Sequence, residues 1–236
     1  MGSVKRLLSI LDEIEASNGP GVLVTTAAGP RHFSTGFDLP YWAKSFENLK
    51  ASLTACLEVM ARLLEFPMPT LCVFNGNAIA GGYLLGLCHD MRIMHESVGS
   101  ICLSELKIGM AFPYPYMHVT RSKLRPMVTT KVLYGVTLKQ KEALKDGLID
   151  DTYKDRADLE SKLAAYAKRY AQLGAMRQAV KLNKQHQYEA SIKACRSFTM
   201  DPIFEAHMRA FHAGPLQGFL KQLQKAKKPA QPRPKL

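Results

Sequence analysis

Apolar residues along the chain alternate between two spacings. Val4, Leu7, Leu8, Leu11 and Ile14 recur at steps of three and four, which predicts an opening helix stopped by the turn formers Ser17-Asn18-Gly19-Pro20. GVLVTTAAG, residues 21–29, is a short β-rich run bounded by glycine and predicts a buried strand. Phe46, Leu49, Leu53, Leu57, Met60 and Leu64 return to the helical step and predict a long helix ending before Pro67 and Pro69. Thr70 to Phe74 predicts a second strand, Asn75-Gly76 a turn, and Gly81 to Cys88 a compact helix; Met91–Met94 and Ile101–Leu103 follow as short strands. Strands alternating with helices in this order predict an α/β fold with a largely parallel sheet.

From Tyr114 onward the pattern is mostly helical. Thr137-Leu138-Lys139-Gln140 has the form of a capping box opening a helix to Asp146, with Gly147 closing it. Helices are expected over 156–170, 175–188, 202–213 and 216–226, with Asp201 capping the third. These spacings divide the chain into a core at 1–190, a helical region at 191–226 and a basic, proline-rich tail at 227–236 that has no apolar period.

With 47% hydrophobic and 22% charged residues in 236, the composition suits a folded domain and excludes a disordered, collagenous or simple coiled-coil chain. The net charge of +12 would suit a polyanion. Beyond Glu205, however, there are seven Lys or Arg and no acid, so most of the excess sits at the C-terminal end. Together with the lack of an aromatic-plus-basic recognition motif, this disfavours nucleic acid as a partner. Cys56, Cys72, Cys88, Cys102 and Cys195 are widely spaced with no C-x-x-C pair, which suits a reducing compartment and offers no metal site. The uncharged stretch 67–88 is broken by Asn and Gly, so no membrane span is expected. Acidic residues at 12, 13 and 15 argue against a signal or transit peptide, and Arg6 stands where a myristoylation site needs Ser or Thr.

Three segments could carry chemistry: HFSTGFDL at 32–39, NGNAIAGG at 75–82 and LSELKIG at 103–109. In the first two, glycine sits where a chain leaving a strand must bend and turn an N–H outward. Two such N–H groups can converge on one oxygen, and a helix beginning at Gly81 would add favourable potential for negative charge. Alone, such turns are as well explained by packing.

Taken together, the segments resemble the crotonase, or enoyl-CoA hydratase/isomerase, superfamily. HFSTGFDL is similar to its F-S-x-G-x-D-L loop, and PTLCVFNGNAIAGGYLLGLCHD to its P-x-x-A-x-x-N-G-x-A-x-G-G block ending in Asp. The resemblance implies an α/β crotonase-like spiral of ββα units with C-terminal helices that build trimers or hexamers. It implies an oxyanion hole from the N–H groups of Phe37 and Gly81, and a CoA and acyl passage lined by Thr35, Gly36, Asp38 and Leu39. The substrate would be an acyl-CoA thioester, with no metal and no separate cofactor.

Hydratases of the superfamily use two glutamates. The first position is Leu84 here and the second is Glu105, while the Asp of dienoyl isomerases and dehalogenases falls on Pro113. A lone carboxylate suits moving a proton from C2 to C4 of a 3-enoyl-CoA, since one group serves as base and then as acid. The wording is most similar to plant-type peroxisomal Δ3,Δ2-enoyl-CoA isomerases. Without the resemblance, Glu105 would read as a surface carboxylate paired with Lys107. His32 and His89 are alternative acid-base groups, His89 better suited to a cap or core; His207 and His212 fall in the region used for subunit packing, and Tyr114 and Tyr116 would shape the acyl pocket.

Two departures bear on this reading. The family usually begins with a β-hairpin before the first helix, whereas here Met1 sits almost on that helix, which leaves room for an inactive scaffold, and the bulk of Tyr83 would narrow the pocket; the net charge of +12 keeps an RNA-binding relative as a further alternative. The chain ends Pro234-Lys235-Leu236, close to the S-K-L tripeptide read by the peroxisomal import receptor.

Overall fold

The computed structural model describes residues 2–227. Seven short strands form two parallel sheets. The larger has the order β1 (Leu23–Thr25), β3 (Thr70–Phe74), β5 (Met91–His95), β7 (Asp151–Tyr153); the smaller has the order β2 (His32–Ser34), β4 (Asn77–Ile79), β6 (Ile101–Cys102). Each odd strand up to β5 is followed by an even one in the other sheet and then by helix, so the chain winds between the sheets as a spiral of ββα units. β3 is buried along its whole length, as a parallel strand covered on both faces must be. Its neighbours pair in simple register, Leu71 with Met91 and Leu23 with Thr70.

α1 (Gly2–Glu15) and α3 (Phe46–Leu64) cover one side. The periodic residues of α3, Leu49, Leu53, Leu57, Met60 and Leu64, are all fully buried. Ser45 caps its start by accepting from Asn48 N–H at 3.1 Å, worth about 1 kcal/mol. Between the first turn of the spiral and α3 lies α2 (Leu39–Trp42). α4 (Gly81–Leu87) follows β4, and a 3-10 turn (Glu105–Ile108) follows β6. α5 (Tyr114–Lys123), α6 (Pro126–Leu133) and α7 (Gln140–Asp146) lead to β7; α8 (Arg156–Tyr170) then packs over the larger sheet. α9 (Arg177–Gln187), α10 (Glu189–Arg196), α11 (Pro202–Ala213) and α12 (Pro215–Lys227) complete the described chain.

Several expectations change. The strand expected over 21–29 is confined to Leu23–Thr25, and β2, β4 and β7 were not anticipated at all. The helix of α7 does not open at Thr137. Leu138 exchanges two 2.9 Å backbone hydrogen bonds with Ile101, so the helix begins later, with Glu142 reaching back to the Lys139 N–H. A boundary at 190/191 would cut α10, whose Ile192 and Cys195 are buried against α3 and α5; the C-terminal helical unit begins after Arg196. That unit folds back on its own chain: His212 Nε2 lies 3.0 Å from Trp42 O, Gln217 Nε2 donates to Ala43 O at 3.3 Å, and Leu216 is fully buried. No helix among the described residues is long and apolar enough to cross a membrane.

Candidate active site

The smaller sheet delivers two loops to one point. After β2, Gly36 adopts φ +88°, a left-handed conformation that a side chain disfavours, and turns Phe37 toward α4. A Cβ on Gly36 would stand 3.2 Å from the Gly81 nitrogen. After β4, Ala80 has φ 53°, the one non-glycine with positive φ among the described residues. This strained residue caps α4 and so sets the backbone that carries the helix's first N–H, that of Gly81. Gly82 fixes the approach from below, since a Cβ there would stand 2.5 Å from Ser34 O. The N–H groups of Phe37 and Gly81 donate to no group among the described residues. Two free N–H donors beside a helix N-terminus can hold a developing oxyanion.

Glu105 opens the 3-10 turn after β6 and is 4% exposed. Its Oε2 meets no hydrogen-bond partner among the described residues, and burial pushes its carboxyl up to about 7 from an ordinary 4.5. It is not a surface partner of Lys107, whose Nζ donates instead to Cys102 Sγ and Thr137 Oγ1. A carboxyl that titrates near neutrality, without a fixed partner, can take a proton and give it back.

Glu105 lines a cavity of about 160 Å³ together with Thr35, Phe37, Leu39, Trp42, Ala80 and Phe219. Phe37 also lines a second, apolar cavity of about 200 Å³, together with Gly36, Gly81 and Leu85 and with Val4 and Leu7 of α1. Phe37 and the N-terminus of α4 thus stand at the partition between two chambers. Leu84, at the position of the hydratases' first glutamate, is fully buried, and Glu105 is the one carboxylate lining its chamber among the described residues.

Of the residues expected to line the passage, Thr35 and Leu39 face the Glu105 chamber and Gly36 the other. Asp38 faces neither: its exposed carboxylate caps α2 by accepting from Tyr41 N–H at 3.0 Å. Tyr83 does not narrow the site, because its ring is buried beside Phe74 and its hydroxyl donates to Leu148 O at 3.3 Å. Tyr114 is exposed and edge-on to His118, and Tyr116 is buried beside Phe112; neither lines the Glu105 chamber. His89 is a core residue, bridging Leu85 O and Thr25 Oγ1, and burial pulls its pKa down to about 4. Trp42, Ser104, Met110 and Phe219 were missed: Ser104 and Met110 flank Glu105 in or beside the LSELKIG segment, whereas Trp42 and Phe219 reach the chamber only through tertiary packing. No cluster of His, Cys, Asp or Glu suited to a metal ion exists among the described residues.

Two glycine-turned loops over parallel strands, with a lone buried acid beside them, make up a candidate site of the crotonase type. The chain belongs to the enoyl-CoA hydratase/isomerase family, whose model matches residues 2–224. Among curated relatives, enoyl-CoA delta isomerase 3 of Arabidopsis thaliana is 32% identical over 66% of this chain and 68% of its own length. Peroxisomal enoyl-CoA delta isomerase 2 of the same plant is 30% identical over 65% and 67%. A probable enoyl-CoA hydratase of Bacillus subtilis is 30% identical over 80% and 76%. The structure of human mitochondrial delta3-delta2-enoyl-CoA isomerase shares the fold, with TM-score 0.78 and 21% identity over 95% of this chain and 88% of that one.

Proposed function

We propose that the protein is a Δ3,Δ2-enoyl-CoA isomerase. The observation that carries this is a single buried carboxylate, Glu105, in a chamber bordered by both N–H-bearing loops, with Leu84 where a second carboxylate would be needed for hydration. In this reading the thioester oxygen sits between the N–H groups of Phe37 and Gly81, the acyl group enters the Glu105 chamber, and the pantetheine arm lies along the apolar chamber beside α1. Glu105 removes the C2 proton as charge moves onto the thioester oxygen. The dienolate is held there by the two N–H donors, and the same carboxyl returns the proton at C4. No water molecule has to be activated.

Hydration is the competing reading, supported by the Bacillus relative. Wild-type protein should convert trans-3-hexenoyl-CoA to the conjugated 2-enoyl ester, seen as a rise in ultraviolet absorbance, and should leave trans-2-hexenoyl-CoA unhydrated. The reverse pattern would make it a hydratase, and no turnover of either would leave an inactive scaffold.

The same reading places the enzyme in peroxisomal β-oxidation, supported by the plant relatives named as peroxisomal. The Pro234-Lys235-Leu236 terminus lies outside the described residues. A fluorescent protein carrying the last ten residues should become punctate with a peroxisomal marker; a diffuse signal would refute the address. A trimer or hexamer is proposed on the family resemblance and on the exposed Met127, Tyr134 and Ile203, and a stable monomer in equilibrium sedimentation at micromolar concentration would refute it.

A further inference from the structure

The Glu105 chamber is small, and one of its walls comes from far outside the motifs. Its volume is about 160 Å³. An apolar cavity of about 150 Å³ takes a six-carbon ring, so a chamber of this size has room for about six carbons. Beyond the carboxylate its walls are mostly apolar, with Leu39, Trp42, Ile79, Met110 and Phe219 among them. Trp42 and Met110 are 1% and 2% exposed, so neither can give way without disturbing the core. Phe219 is different, because it is half-buried and stands on α12, the last described helix. That helix is held against the site. Leu216, one turn before Phe219, is fully buried, Gln217 Nε2 donates to Ala43 O at 3.3 Å, and a Cβ on Gly109, just after the turn that carries Glu105, would stand 3.6 Å from Pro215.

Resting on the isomerase reading above, we propose that the substrate is a short aliphatic acyl thioester of about six carbons, and that Phe219 is the specificity-determining residue that sets this limit. The reacting carbons C2 to C4 must lie beside Glu105, which leaves room for about two or three more before the chain meets the chamber walls. The wall that can be withdrawn without opening the core is Phe219, and deleting its six-carbon ring adds a space of about the same size again. A charged tail is disfavoured, because its charge would be buried against apolar walls.

The test uses unreactive saturated esters, so that binding is read apart from turnover. Butanoyl-, hexanoyl-, octanoyl- and decanoyl-CoA are titrated by calorimetry into wild type, Phe219→Ala and Phe219→Trp. Each methylene that enters the chamber should tighten binding about fourfold, so wild type should bind hexanoyl-CoA about sixteenfold tighter than butanoyl-CoA. The gain should stop there, with octanoyl- and decanoyl-CoA no tighter. Phe219→Ala should carry the gain on to octanoyl-CoA, and Phe219→Trp should move the stop below hexanoyl-CoA. Affinity that climbs without a break to decanoyl-CoA in wild type, or a break that stays at hexanoyl-CoA in both variants, would overturn the proposal while leaving the isomerase reading intact. Failure of every ester to bind would overturn both. The wild-type series stands even if a variant does not fold.

Discussion

Replacing Glu105 by glutamine should change how stability depends on pH, by an amount that follows from its burial. The carboxyl titrates near its ordinary 4.5 in the unfolded chain but holds its proton to about 7 when folded. Between these values the unfolded state has released a proton that the folded state still binds, so wild-type stability falls as pH rises through the window. At about 1.4 kcal/mol for each tenfold change in proton affinity, the loss comes to about 3 kcal/mol. Glutamine keeps the shape and does not titrate. The measurement is urea unfolding of both proteins at about pH 4.5 and about pH 8.5, where other titrating groups cancel in the difference. Glu105→Gln should gain about 3 kcal/mol on wild type between the two conditions. A difference that stays flat, or moves the other way, would mean that Glu105 is solvated or paired in solution, and the raised pKa argument would fall.

Other consequences are equally direct. His89, held neutral in the core with its pKa lowered from 6.5 to about 4, contributes stability that is present above pH 6.5 and is lost as pH falls toward 4. His89→Gln should flatten that acid limb of a thermal unfolding profile. Gly36→Ala places a side chain at φ +88° and 3.2 Å from Ala80 Cβ. It should cost about 1–2 kcal/mol in urea unfolding and, by moving the Phe37 N–H, lower isomerase kcat about a hundredfold. Arg196→Ala should cost about 2–3 kcal/mol of unfolding free energy, because it leaves the 4% exposed Glu65 without the guanidinium that contacts it at 2.6 Å.

The long helix α3 was legible because its six periodic residues face one core, and the two glycine loops because the bends they make leave glycine in the sequence. What stayed illegible has a physical reason in each case. β2 and β4 are three residues long, too short to show a period of two. β7, Asp151-Thr152-Tyr153, is polar because Asp151 pairs with Lys162 of α8 at 2.6 Å rather than entering the core. Thr137 carries a sound capping pattern, yet the Leu138 backbone is claimed by Ile101 from the smaller sheet, and a local signal yields to a tertiary hydrogen bond. In the site, Glu105 could be singled out only through the family resemblance, whereas Phe219 comes from more than a hundred residues further along and leaves no mark near the motifs. Asp38 shows the opposite failure: it sits inside the motif and serves a helix.

The most direct test of the central claim is the turnover of trans-3-hexenoyl-CoA by wild type and Glu105→Gln, with the affinity of each for hexanoyl-CoA measured in parallel. If Glu105 moves the proton between C2 and C4 while the Phe37 and Gly81 N–H groups hold the thioester oxygen, the variant should bind the ester within about threefold of wild type, since binding uses the N–H groups and the apolar chambers. It should lose conjugated product by about three orders of magnitude or more, the scale of a lost general base. Turnover near the wild-type rate in Glu105→Gln would contradict the account.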